Sequence, residues 1–177
     1  MHLIFALLLA LSPAHAGELA GVTMPDSVEV GGQSLVLNGM GLREKFFINV
    51  YVGGLYLTAQ TTSHESAIND DVPKRITMHF IYNGVGADKM IETYEEGFDA
   101  TLRADVEPEI QEFFGYMEEM NRGDEMILEY VPGTGTTVTI KGQVKGTIAN
   151  PGFMKLIFTN YIGPKANKQL RKGMLGL

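Results

Sequence analysis

The chain has 177 residues, a formal net charge of −7 and no cysteine. An acidic chain with no basic run argues against a nucleic-acid partner, which selects a positive face. Without cysteine there is no disulfide framework, so burial alone must hold the fold.

The N-terminus opens on an apolar run at residues 3–11, followed by Ser12-Pro13 and the small-residue site Ala14-His15-Ala16. A bilayer span needs ~20 residues, and this run is far shorter. The pattern is that of a secretory signal peptide cleaved after Ala16. Residues 17–177 are then expected to form a single domain, long enough to bury a real core. Export without cysteine suits the periplasm of a Gram-negative bacterium. No later segment has the length and apolarity of a membrane helix, so no integral membrane segment is expected after cleavage.

Residues 17–26 read as a loosely held lead-in. Val28, Val30, Leu35 and Leu37 alternate around Gly31-Gly32, a hairpin signal. A long strand follows Gly39 and Gly41, and residues 46–57 are almost wholly apolar, aromatic or glycine. Residues 60–72 are polar, with a short helix at 64–69, and residues 74–82 form another strand. Ala87, Met90, Ile91, Tyr94, Phe98 and Leu102 recur at helical spacing, predicting an amphipathic helix. A second helix starts near Pro108 and runs to Asn121-Arg122-Gly123. Three strands are expected at 125–131, 136–141 and 143–148, then a helix capped by Asn150-Pro151 through Tyr161, and a short helix after Pro164. Hairpins, then helices, then strands and helices describe an α+β protein with an antiparallel sheet and helices on one face.

Arg43 and Tyr51 stand out within the 41–59 stretch. A desolvated guanidinium costs several kcal/mol unless an anion meets it, and either the protein or a ligand can supply that anion. The protein candidates are a nearby core carboxylate or the acidic run at 92–96. As one straight strand, the eight residues from Arg43 to Tyr51 would span roughly 8 × 3.3 ≈ 26 Å. The two side chains share a ligand only if the chain bends near 43–46, which the upstream glycines make cheap.

Several motifs, in order along the chain, resemble the chalcone isomerase superfamily and its bacterial chalcone isomerase-like branch. They are Gly41-Leu42-Arg43-x-Lys45, Val50-Tyr51-Val52-Gly53-Gly54-Leu55-Tyr56-Leu57 and Pro73-Lys74-Arg75-Ile76-Thr77-Met78. Further on come Gly123-Asp124, Tyr130-Val131-Pro132-Gly133-x-Gly135, the helix from Phe153 that closes on Ile162-Gly163, and Leu175-Gly176. The resemblance implies an open-faced β-sandwich, a large antiparallel sheet covered by a layer of helices, with a ligand cleft between the layers. It also implies that Arg43 contacts the anionic atom of a ligand. Tyr51 occupies a position that is threonine in the ring-closing enzymes and tyrosine in their fatty-acid-binding relatives. Asn160 falls where the enzymes carry threonine or serine. Their tyrosine–asparagine pair lands near Ala87 and Tyr94 and is not reproduced.

The expected ligand contacts are therefore Arg43, Tyr51, Asn160 and Tyr94. Phe47, Leu55, Phe98, Phe113, Phe114 and helix-borne methionines are expected to wall the tail. An arginine fork plus a tyrosine hydroxyl in apolar surroundings suits a carboxylate. The reading is a periplasmic, non-catalytic binder of a fatty acid or similar hydrophobic carboxylate. The alternatives are an intramolecular lyase or isomerase of the chalcone isomerase type and an interaction module without ligand. No cofactor is expected. With only His64 and His79 beyond residue 16 and no cysteine, no metal site is expected either. His79 reads as a satisfied strand residue. Gly133-Thr134-Gly135 reads as a turn, since the Gly-Lys-Ser/Thr ending of a phosphate loop is missing. Tyr56, opposite in parity to Tyr51, is expected to pack under the helices or pair across strands.

Overall fold

The structure is a computed structural model that describes residues 17–177; the expected signal peptide at 1–16 lies outside the described residues. Its centre is a seven-stranded antiparallel sheet whose strands lie side by side in chain order. These strands are β3 (Ser27–Val30), β4 (Gln33–Lys45), β5 (Ile48–Leu57), β6 (Lys74–Phe80), β7 (Glu125–Val131), β8 (Gly135–Ile140) and β9 (Gln143–Ile148). The helices enter as insertions and as a C-terminal pair. α1 (His64–Asn69) lies between β5 and β6. α2 (Ala87–Gly97), α3 (Ala100–Arg103) and α4 (Glu107–Gly115) lie between β6 and β7. α5 (Pro151–Ile162) and α6 (Lys168–Leu175) follow β9. This is the large antiparallel sheet with a helical layer that the motifs imply.

Strand alternation assigns the two faces. On the helical side, Leu55, Ile76, Met78, Phe80, Leu128, Val138 and Ile140 join Ile110, Phe113, Phe153, Phe158 and Ile162 in one buried cluster. Residues two apart on a strand share a face, so Tyr51 belongs to the same side as Leu55. The opposite face carries Tyr56, which packs with Val30 and Leu35 and donates from its hydroxyl to the Pro25 carbonyl at 3.0 Å. Tyr56 is thus under no helix. Its cross-strand partners are Leu37 and Arg75.

Four expectations change. Residues 17–26 are no loose lead-in: β1 (Gly17–Leu19) and β2 (Val22–Met24) pair into a hairpin. Val22 and Met24 from that hairpin are buried with Val52 on the open face. The helix expected from Ala87 to Leu102 is broken, because Phe98 is extended and Asp99 restarts it by accepting from the Thr101 and Leu102 amides at 2.9 and 3.2 Å. Such a side-chain cap satisfies donors a helix start would otherwise leave orphaned. The helix near Pro108 ends at Gly115, well short of Gly123, and Met120 instead makes a bridge to Val85.

The fourth change decides the site. The 41–59 stretch is two strands. β4 and β5 are joined by a two-residue turn, Phe46-Phe47, with φ of 52° and 64°. Asn-Gly or Asp-Gly normally supplies such a turn, and a side chain in this conformation costs roughly 1–2 kcal/mol per residue. Phenylalanine gives no turn signal, which is why the hairpin is invisible in the sequence. Gly39 and Gly41 do not supply this turn; the ladder shifts register between Leu37 and Gly39, well before Arg43. They receive α6: a Cβ on Gly41 would lie 2.1 Å from the Leu170 carbonyl oxygen, and one on Gly39 would lie 2.2 Å from that of Gly173.

Candidate functional site

The turn at Phe46-Phe47 folds Tyr51 back onto Arg43, and the two are direct cross-strand partners. Such partners sit on one face with Cβ atoms about 4.5–5.5 Å apart, in place of the roughly 26 Å of a straight strand. They open into a cleft of about 500 Å³ between the sheet and the helices, within the ~300–1,000 Å³ range of small-ligand sites. β4 and β5 contribute Arg43, Val50 and Tyr51, and β6 contributes Met78 and Phe80. α2 contributes Met90, Tyr94 and Gly97, α5 contributes Asn160 and Tyr161, and α6 contributes Leu170. All four expected contact residues, Arg43, Tyr51, Tyr94 and Asn160, therefore line one cleft.

The expected walls are only partly there. Phe47 is 97 % exposed at the hairpin tip. Phe98, Phe113 and Phe114 form a packed aromatic cluster under Tyr94, with Tyr94–Phe113 and Phe98–Phe114 centroids 5.0 and 6.1 Å apart. Leu55, Met117, Met120 and Met154 likewise belong to the packed core or its margin. Of the expected walls Met90 does line the cleft, and Val50, Met78, Phe80, Val85 and Leu170 complete its apolar surface. Periodicity finds buried side chains, but it does not separate those that pack from those that face a cleft.

Arg43 is half-buried, and its Nη1 donates to the Glu44 carbonyl at 3.2 Å. Among the described residues no carboxylate lies in ion-pair range of it. The acidic run it could have met is engaged elsewhere: Glu96 pairs with Lys45 at 3.7 Å, Glu92 with Lys89, and Glu95 with Arg103. The cation's field reaches two phenols. Burial pushes the Tyr51 hydroxyl up to about 12, with Arg43 pulling it part of the way back. Burial likewise raises Tyr161 well above the ordinary phenol range, and Arg43 again opposes.

Tyr161 is not singled out by the sequence, where it reads as the core-facing end of a helix. It sits at the centre of the polar end of the cleft. Its hydroxyl lies 2.5 Å from that of Tyr94 and 2.8 Å from the Met78 sulfur, while the Tyr94 hydroxyl is 3.9 Å from the Met126 sulfur. The pair has two O–H protons and one mutual bond to make. The second proton faces only thioethers, which are weak acceptors. This pair can therefore offer a donor to a stronger acceptor entering the cleft. Burial also raises Tyr94 far above its ordinary range, so Tyr51, Tyr94 and Tyr161 are hydrogen-bond donors, not bases.

Asn160 is held by a close approach of α2 to α5. A Cβ on Gly97 would lie 2.2 Å from Asn160 Oδ1, so glycine is what lets the carboxamide occupy this wall. His79, expected as a satisfied strand residue, sits with its Nδ1 3.0 Å from Glu125 Oε1 across the sheet. His64 lies against Arg171 at 3.4 Å.

The fold has solved counterparts. The crystal structure of an Arabidopsis thaliana fatty-acid binding protein superposes with a TM-score of 0.74 at 19 % identity, covering 90 % of this chain and 95 % of that one. At that identity the likeness establishes the fold. No curated protein matches the chain in sequence. The profile described as chalcone isomerase-like matches residues 16–176, and with sheet, helical layer and cleft in place, the chain belongs to the chalcone isomerase-like family.

Proposed function

We propose that this protein binds an amphipathic carboxylate, a fatty acid or close analogue, without transforming it, and that it does so in the periplasm. The observation that carries the reading is Arg43: a half-buried guanidinium with no carboxylate in range among the described residues, at the polar end of an apolar cleft. Arg43 and Tyr51 would hold the two carboxylate oxygens, with Tyr161, oriented by Tyr94, as a further donor. Charge-assisted bonds of this kind are roughly twice as strong as neutral ones. Val50, Met78, Phe80 and Met90 would face the chain. Methionine suits such a wall because it adapts to flexible tails. The fatty-acid ligand of the Arabidopsis protein on the same fold supports the class. Asn160 completes the wall beside the head group.

A lyase of the chalcone isomerase type would need its charge-stabilising residues around a reacting phenolate. Here tyrosine stands at position 51 and asparagine at position 160. The test is titration of purified protein with hexadecanoate by calorimetry, alongside a chalcone turnover assay. Saturable binding that Arg43→Gln weakens by about 30-fold or more is the expected result, being about 2 kcal/mol for a lost charge-assisted contact. Chalcone turnover that Arg43→Gln abolishes would replace this reading with the lyase. Failure of any carboxylate amphiphile to bind would refute it.

A further inference from the structure

The β4–β5 turn breaks the rule of its own geometry. Lys45 pairs with Ile48, leaving Phe46-Phe47 as the two-residue loop, both with positive φ. Turns of this shape favour Asn-Gly or Asp-Gly. Phenylalanine adds strain here, and contacts offset little of it: Lys45 Nζ lies 5.9 Å from the centre of the Phe46 ring, an exposed cation–π pair worth roughly 0.5–1 kcal/mol, while Phe46 is 82 % and Phe47 97 % exposed. A residue pair that costs stability and solubility together marks a functional constraint. Scattered exposed hydrophobics need no explanation, but these rings are not scattered. Phe46, Ile48 and Tyr82 all line the cleft, and Ile48 and Tyr82 are themselves 41 % and 43 % exposed. The cleft's apolar interior thus runs out continuously onto the hairpin tip.

Charge around this mouth differs from the rest of the protein. The chain carries −7, yet the charged residues lining the cleft are Arg43, Lys45, Lys89 and Lys165 against Glu96 alone. The three lysines have carboxylate neighbours in Glu96, Glu92 and Asp99, so the rim is balanced although the chain as a whole is acidic, and α6 adds Lys168, Arg171 and Lys172 with no carboxylate of its own. A phosphate-bearing layer is not repelled there. Long lysine stems beside an inserted apolar tip can also reach headgroups. The tip is a narrow wedge, whereas a stable protein contact needs about 800 Å² on each partner. A bilayer accepts a wedge.

We propose that the Phe46-Phe47 tip inserts into the headgroup boundary of a phospholipid bilayer and seats the cleft mouth on the membrane. If the cleft binds an amphiphile as read above, this gives the ligand a path between bilayer and cleft that avoids water; the insertion itself does not depend on that reading.

The chain contains no tryptophan, so Phe47→Trp places a sole indole reporter at the tip. With phosphatidylethanolamine/phosphatidylglycerol vesicles, its emission is expected to move to shorter wavelength and to be quenched by brominated acyl chains. The companion variant, Phe46→Asn with Phe47→Gly, gives the turn its favoured residues and should fold at least as stably. It is expected to lose at least about tenfold in vesicle co-sedimentation, from two lost aromatic insertions. Phe47→Gly alone, which leaves the cleft-lining Phe46 in place, is expected to lose part of that vesicle binding while hexadecanoate titration in lipid-free buffer matches the parent. An unshifted indole emission from the Phe47→Trp variant, or parent-like sedimentation of the double variant, overturns the proposal. Self-association of the lipid-free parent that the double variant abolishes also overturns it, because the tip then belongs to a second copy. Vesicle binding by a parent that takes up no fatty acid would uphold the insertion and refute only the ligand reading.

Discussion

Two cations lie on the helical side of the sheet, and their surroundings have opposite designs. Lys74, at the start of β6, is fully buried. Its ammonium donates to the carbonyls of Ala67, Ile68 and Asp70 at 2.7, 3.1 and 2.8 Å, closing the C-terminal end of α1. Its Nζ also lies 5.7 Å from the centre of the Phe158 ring. Three protons meet three acceptors, so nothing remains for a ligand. Arg43 has five N–H donors and is assigned one carbonyl acceptor, at 3.2 Å. Burial alone therefore does not mark a binding residue. The surplus of donors over acceptors does.

The largest expected effect is on the satisfied cation. Lys74→Met keeps much of the packing volume but leaves three carbonyls without their donor, at about 1–3 kcal/mol for each buried unsatisfied group. Urea unfolding should show a loss of about 3 kcal/mol or more. A loss under about 1 kcal/mol would mean that α1 does not depend on this lysine. Arg43→Gln should do the reverse, changing stability by less than about 1 kcal/mol. The same protein would lose about 2 kcal/mol of hexadecanoate affinity by calorimetry. If Arg43→Gln unfolds the protein, the contrast between the two cations collapses.

The pH dependence of stability sharpens the contrast further. Burial lowers the Lys74 ammonium from 10.5 to about 8, with Asp70 and Asp71 opposing. Between those values the unfolded chain still holds a proton that the folded chain has released, so stability should rise with pH. The rise should begin near pH 8 and amount to about 1 kcal/mol by about pH 9, on a scale of about 1.36 kcal/mol per pH unit. Closer to pH 10, where unfolded tyrosine ionises, the sign reverses. Tyr51 and Tyr56, both raised to about 12, stay protonated in the fold while the unfolded chain loses those protons. Denaturation midpoints across the alkaline range should therefore pass through a maximum, and Lys74→Met should lose the ascending limb.

The smallest effect is expected at the cross-strand partner. Tyr51→Phe removes one hydroxyl donor and should weaken hexadecanoate binding by about 1 kcal/mol, roughly fivefold. Because the Tyr51 hydroxyl holds its proton to about 12, wild-type affinity should not fall between neutral pH and about pH 10 through loss of this donor. A decline that Tyr51→Phe abolishes would show that the hydroxyl ionises in that range.

Sequence reading succeeds where local chemistry and tertiary structure agree. The Gly31-Gly32 hairpin, the three closing strands, and the helix capped by Asn150 all follow from turn residues, alternation and capping. It fails at Phe46-Phe47 because a strained turn made of phenylalanine looks like strand. That single hidden turn separates a straight spacing of roughly 26 Å from direct pairing of Arg43 with Tyr51. Tyr161 escapes notice because a cleft-lining tyrosine and a core tyrosine share the same helical position. The aromatic residues Phe98, Phe113 and Phe114 are expected in the cleft for the converse reason. Residue type alone does not say that those rings fill their own space.

The seat of α6 on Gly39 and Gly41 has a consequence for the order in which the molecule is completed. β4 and β5 can zip together as soon as both have been synthesised, since their contacts are local. Leu170, Asn167 and Lys165, which finish the cleft wall, come from the far end of the described chain. Until that helix docks, the wall beside Arg43 and Tyr51 is incomplete, and the proposed ligand would be held only loosely. Its retention would thus be a property of the finished molecule. A chain cut before residue 165 should keep its hairpins and lose its grip.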